Sequence, residues 1–313
     1  MQRGDILTAA AVTDVTTAPF DTFLSVGGVT IRVVSDDPVL ASRPRGSLGS
    51  FSADRGEADV VIRAGWTDTP PASTGEQLFD SGGAWQLHRS DDQFVFIFRS
   101  SIGGREPYAI ARFNRSVTVG DVQLCRPYFE RHPTARPHPL QYPLDELVMI
   151  HALSQGKGVE VHGCGILDEA GRVSIFVGQS GAGKSTFARL WADRPGVTLL
   201  SDERVVLRTD RERIRVYGTP WQGDAHFASP LSGELAAVFF LNKAATHAVA
   251  PAVRSRAAAR LFACSFLPFH DARAVDCTMT AVEQVTASVP CHDLWFAPDS
   301  SVIDLLLAHQ PKG

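Results

Sequence analysis

The chain has little cysteine, no long apolar run and no surplus of charge of one sign, and each shortage removes a class of protein. Its five cysteines, Cys125, Cys164, Cys264, Cys277 and Cys291, are odd in number and never spaced as C-x-x-C. Neither a disulfide framework nor a zinc site is therefore expected; reduced thiols in a cytoplasmic setting are. No apolar stretch approaches the roughly 20 residues that a membrane helix needs. The opening MQRGDILTAAAVTD puts acids where a signal peptide needs an apolar core. A soluble, cytoplasmic protein with no membrane partner is predicted. The formal net charge of -4, from 30 Lys and Arg against 34 Asp and Glu, lacks the basic excess of a nucleic-acid binder, so no nucleic-acid partner is expected either.

What is present suffices for a folded core, with 44% hydrophobic and 20% charged residues. A length of 313 residues favours two domains, and the texture of the chain changes midway. From Phe20 to about Phe129, short β-type runs such as FLSVGGVTIRVVS, ADVVIRA, QFVFIFRS and YAIARF alternate with Gly, Asp, Pro and Ser clusters, which predicts an antiparallel sheet module. Ser42–Ala58 and the segment around Thr67–Gly75 are polar and read as loops. Trp85, Phe94, Phe96 and Phe98 read as sheet packing, and nothing in this half has catalytic spacing. Glu130–Pro139 is rich in proline and charge, as linkers are. A helix in YPLDELVMIHAL, with Pro143 in its first turn, then opens a second domain. The expected division is a β-rich N-terminal domain with linker over 1–139 and a catalytic α/β domain over 140–313.

The chemistry lies in Val173–Trp191. An apolar strand leads into Gly178-x-x-x-x-Gly183-Lys184-Ser185, and a helix follows, which is the full phosphate-loop pattern in its required context. Glycines are needed because backbone N–H groups must turn inward around phosphate oxygens. Gly178, Gln179, Ser180, Gly181, Ala182 and Gly183 are thus predicted to cradle the phosphates of ATP, with the helix N-terminus adding its positive end. Lys184 reaches the β- and γ-phosphates and the Ser185 hydroxyl suits magnesium. Thr186 caps the helix or touches the α-phosphate.

Next, Gly196–Ser201 reads as an apolar strand that ends abruptly in Asp202-Glu203-Arg204. In an open α/β sheet a carboxylate at a strand end beside the loop is placed to bind magnesium or accept a proton, so Asp202 and Glu203 join Ser185 as candidate metal ligands. One strand earlier, Gly158–Asp168 carries His162, and a turn at Asp168–Arg172 joins it directly to the phosphate-loop strand. Further candidates are Trp221 and Gln222 beside the acceptor, and Arg254, Arg256 or Arg260 as a neutralising cation. His270-Asp271 and Cys291-His292-Asp293 lack metal-ligand spacing.

The series His162-Gly163, Gly178–Ser185 and Ser201-Asp202-Glu203-Arg204 resembles the catalytic domain of HPr kinase/phosphorylase, a bacterial enzyme that phosphorylates a serine on a sugar-transport carrier protein. The likeness spans roughly Tyr142–Leu207. It implies a phosphoenolpyruvate-carboxykinase-like fold, ATP with Mg2+, and often a homo-oligomer. It also implies that His162 neighbours the transferred phosphate, that Asp202 accepts the proton of the acceptor hydroxyl, and that Lys184 serves the transfer. The Pro-Gly-Arg-Asn-type signature that contacts the family's carrier protein is not found, so the acceptor stays open among protein, peptide and small molecule. Two other readings remain: a nucleotide-dependent switch or scaffold with slow hydrolysis, and a carboxykinase-like enzyme acting on a small acid.

Overall fold

The computed structural model describes residues 18–70, 72, 75–100, 106–210 and 213–309. The opening MQRGDILTAAAVTD and residues 71, 73 and 74 of the loop expected around Thr67–Gly75 lie outside the described residues. The chain is mixed α/β, with two nine-stranded sheets in two compact units.

The first unit holds β1 (Phe20–Val26), β2 (Val29–Ser35), β3 (Ser52–Ala53), β4 (Val60–Thr67), β5 (Glu76–Asp80), β6 (Trp85–Ser90), β7 (Gln93–Arg99), β8 (Pro107–Asn114) and β9 (Val119–Cys125), in the order β3-β1-β2-β4-β9-β8-β7-β6-β5. Strands β5 to β9 form an antiparallel meander. The sheet is not purely antiparallel, as expected from the sequence, because β4 runs parallel to both β2 and β9. Parallel neighbours require a long crossover. Residues 36–59 supply the first one, and there the predicted loop contains a 3-10 turn at Gly46–Phe51 and strand β3. Strands β5 to β8 fill the second. Phe94, Phe96 and Phe98 are buried, with the Phe96 and Phe98 rings stacked at 6.4 Å and Trp85 6.2 Å from Phe96.

Helices α1 (Arg126–Arg131) and α2 (Leu144–Leu153) follow, so the expected linker begins inside a helix. The His151 ring of α2 lies edge-on to Phe96 at 5.6 Å and 6.0 Å from Phe94. This packing assigns α2 to the first unit, and the chain passes into the second between Ala152 and Leu153. This division falls later in the chain than the 139/140 edge expected from the sequence; the helix has an apolar face, but sequence periodicity does not say which sheet covers it.

The second unit contains β10 (Val159–Asp168), β11 (Arg172–Val177), α3 (Lys184–Trp191), β12 (Val197–Ser201), β13 (Arg204–Asp210), β14 (Arg213–Tyr217), β15 (Ser232–Lys243), β16 (Ala248–Pro251), α4 (Arg254–Ala263), β17 (Ser265–Phe266), α5 (Ala272–Ser288), β18 (Cys291–Phe296) and α6 (Ser301–His309). The hairpin expected between β10 and β11 is present, with Asp168 Oδ1 accepting from Arg172 N at 2.9 Å. Pairing runs β11-β10-β13-β14-β15, and β15 also pairs in parallel with β11. The pairing therefore closes on itself, where an open sheet was expected.

Strand alternation gives this sheet two apolar faces. Val173, Ile175, Val177, Val238 and Phe240 form one core with Leu261 of α4 and Val282 and Val285 of α5. The intervening Phe176, Phe239 and Leu241 form another with Phe187 and Trp191 of α3 and Val302 and Leu306 of α6. Among the described residues, no helix is long and apolar enough to cross a membrane.

Phe187 fixes α3 to the sheet: its ring lies 4.3 Å from Phe176 and 5.3 Å from Phe296, and it is fully buried. Phe187→Ala is expected to destabilise the protein by about 3–5 kcal/mol. The readout is a lower urea midpoint with little change in slope.

Candidate functional site

Strand β11 ends at Val177, and the chain turns through Gly178–Gly183 into α3. Gly181 and Gly183 adopt positive φ, 79° and 97°, a region open to glycine at little cost. Gly178 is required for a different reason: a Cβ there would stand 2.6 Å from the Ala182 Cβ. Ala182 N donates to Gln179 O at 3.0 Å, and Phe187 N to Gly183 O at 2.8 Å, which starts the helix. Gln179, Ser180, Gly181 and Thr186 are exposed, while Ala182, Gly183 and Ser185 are half-buried.

Lys184 is buried, its Nζ donating to Gly178 O at 3.0 Å and Gln179 O at 3.2 Å. Burial pulls its ammonium below the ordinary range, and Glu203 foremost opposes this. The lysine thus braces the loop through two carbonyls that bend around it.

Backbone hydrogen bonds join β10, the start of the loop after β11 and the turn after β12. His162 N donates to Cys264 O at 2.7 Å, Gly163 N to Glu203 O at 3.0 Å, and Gly178 N to His162 O at 3.4 Å. This lattice brings the His162 side chain to Glu203, with Nε2 and Oε1 2.8 Å apart. The hydrogen bond from His162 is the main cause holding the Glu203 carboxyl below the usual range. Arg204 lies over the Phe266 ring at 5.0 Å and 3.7 Å from the buried Glu160.

Asp202 has no exposed surface. Its Oδ1 accepts from Gly223 N at 3.0 Å and Phe227 N at 3.2 Å, and its Oδ2 from Ala225 N at 2.8 Å. These three amides offset the penalty of burying a carboxylate. Ser201 Oγ adds to the corner, accepting from Glu203 N and Arg204 N, and Arg189 of α3 donates to Asp224 O at 2.5 Å. The loop is thereby drawn across the mouth of the site. A Cβ built on Gly223 would stand 2.6 Å from Asp202 Oδ2, 3.0 Å from Glu203 Oε2 and 3.1 Å from Ser185 Oγ. Three hard oxygens, one from α3 and two from the turn between β12 and β13, therefore surround one small volume beside the Gly178–Gly183 loop. Such donors suit Mg2+, which takes one or two carboxylates and completes its shell with water and phosphate. Among the described residues, no group of three or more His, Cys, Asp or Glu side chains is arranged to hold a metal, so an all-protein cage is not what this corner offers.

The other candidates are scattered. Trp221 is buried, whereas Gln222 is exposed and bonds His226 O at 2.8 Å. Arg254 and Arg256 are exposed on α4, and Arg260 forms an ion pair with Asp293 and bonds Asn242 Oδ1 at 3.2 Å. Asp271 caps α5 through Arg273 N at 3.0 Å. All five cysteines are free. Gly223 is not a candidate from the sequence: its place among the oxygens depends on residues that lie twenty or more positions away.

No family model and no curated protein matches this chain. A solved structure of the Hpr(Ser) kinase/phosphatase from Coxiella burnetii is similar to it at 10% identity, over 49% of this chain and 97% of that one, with a TM-score of 0.28. A likeness at that level carries no argument here.

Gly223→Ala puts a methyl group against two carboxylates and a hydroxyl. It is expected to lower stability by about 1–3 kcal/mol, measured by chemical denaturation. Ala225, on the same loop, serves as control: Ala225→Ser is expected to change stability by less than about 0.5 kcal/mol.

Proposed function

We propose that this chain is an ATP-dependent phosphotransferase that moves the γ-phosphoryl group to a hydroxyl of a protein, peptide or small molecule. The observation that carries the reading is the convergence of Ser185 Oγ, Asp202 Oδ2 and Glu203 Oε2 on one volume beside the Gly178–Gly183 loop.

In this reading the loop amides and the N-terminus of α3 bind phosphate oxygens, and Lys184 supplies a buried positive charge behind them. Ser185 Oγ and Asp202 Oδ2 would hold Mg2+, which neutralises charge on the phosphates when bound. Asp202, expected from the resemblance to accept a proton, already has both oxygens engaged by backbone amides. Glu203 is the better acceptor. Its side chain is 27% exposed, and His162 orients it by bonding Oε1, which leaves Oε2 to take the proton of the incoming hydroxyl. The acceptor oxygen forms a bond to phosphorus as the bond to the β-phosphate oxygen breaks. ADP leaves, and the proton passes from Glu203 to water.

The test is incubation with γ-labelled ATP, Mg2+ and a lysate of the source organism. Wild type is expected to label an acceptor and form ADP in step, and EDTA to stop both. Lys184→Ala should lose the reaction. Glu203→Gln should bind ATP within a few-fold of wild type yet transfer roughly 10²–10⁴ times more slowly, the range for loss of a general base. If wild type labels nothing and forms ADP no faster than Lys184→Ala, the phosphotransferase reading fails.

A further inference from the structure

A phosphate loop binds three or four negative charges, and Lys184 alone is a small counterweight to them. Arg260 of α4 lies 3.5 Å from Leu241 O, but its charge is committed to the buried carboxylate of Asp293. A second lysine, Lys243, lies against the loop.

Strand β15 lies parallel to β11, with Val177 opposite Phe240. The next three residues of β15, Leu241, Asn242 and Lys243, therefore run on past the end of β11, alongside the loop. A Cβ on Gly178, the first glycine of the loop, would be 3.7 Å from the Leu241 Cβ; one on Gly183, the last, would be 3.9 Å from the Lys243 Cε. The strand tracks the loop from end to end and delivers the Lys243 stem where the helix begins. Phe296 fixes this corner from the other side. It pairs with Lys243 across β15 and β18, is buried, and would stand 3.0 Å from that same Gly183 Cβ.

Lys243 is exposed, and among the described residues it has no carboxylate within ion-pair distance. A helix N-terminus repels a cation, and Lys184 is of like charge. An unpaired lysine held at such a point lacks its natural complement, an anion. We infer that Lys243 is a second cationic contact for the polyphosphate of a nucleoside triphosphate, engaging it at the Gly183 end of the loop. The inference rests on the phosphate-loop reading proposed above and adds a residue to it.

The experiment is titration calorimetry with ATP and Mg2+ at low ionic strength on wild type, Lys243→Ala, Lys243→Arg and Lys184→Ala. Lys243→Ala is expected to bind ATP roughly tenfold more weakly, a charge-assisted contact discounted for exposure. Lys243→Arg should recover most of the loss, and the gap between wild type and Lys243→Ala should narrow as salt is raised. Because Lys243 is exposed, both variants should keep the wild-type thermal midpoint. Wild-type binding with Lys243→Ala unchanged overturns this inference alone. If wild type itself fails to bind ATP and Lys184→Ala is indistinguishable from it, the phosphate-loop reading falls and this inference with it.

Discussion

A carboxylate with no exposed surface holds the site together. Asp202 sits at the end of β12, and its two oxygens accept three backbone amides from Gly223, Ala225 and Phe227. A buried unpaired carboxylate would be strongly unfavourable, so the loop and the acid specify each other: the acid needs the amides, and the loop cannot drift without stranding it. Because Asp202 also lies beside Ser185 and Glu203, fixing this loop fixes the distance from its backbone to three side-chain oxygens. The arrangement is a corner braced from within rather than a surface cleft.

The sheet supplies the other half of the bracing. Phe176 is stacked on Phe239 at 5.1 Å and packed on Phe187 at 4.3 Å, so the strand before the Gly178–Gly183 loop and the helix after it share one aromatic layer. Neighbouring Val177 faces the opposite core. Period-two alternation thus locks the strand end from both faces, and Gly178 begins where side chains stop. The loop can carry two glycines with positive φ, at entropic cost, because both of its ends are pinned.

Much of this was legible in the chain because it is local. The strand, the loop and the helix are contiguous, and the turn at Asp168–Arg172 joins adjacent strands, so residue order alone places His162, Gly178 and Lys184 near one another. Asp202 and Glu203 at a strand end were legible for the same reason. What escaped is non-local. The parallel pairings of β4 depend on crossovers whose course no pattern states. Helix α2 reads as amphipathic whichever unit covers it, so its contacts with Phe94 and Phe96 could not be foreseen. The amides that engage Asp202 lie 21 to 25 residues away, and backbone N–H groups leave no mark on a sequence. Lys243 carried no signal in the sequence, since its proximity to Gly183 follows only from the register of β15 on β11.

The turn between β12 and β13 gives two adjacent acids different surroundings. Asp202 and Glu203 are neighbours in the chain, yet one ends β12 pointing into the loop while the other turns toward β10 and His162. The difference is one of partners. Three amides donate to Asp202, so both of its oxygens already have N–H partners. Glu203 has one strong partner, on Oε1, and keeps Oε2 available. In the proposed reaction, a hydroxyl proton delivered to Asp202 would compete with the amides that hold the loop, whereas one delivered to Glu203 Oε2 leaves them in place. On the phosphotransferase reading, the backbone reversal between β12 and β13 divides two tasks between adjacent acids, one holding the loop and the other taking a proton.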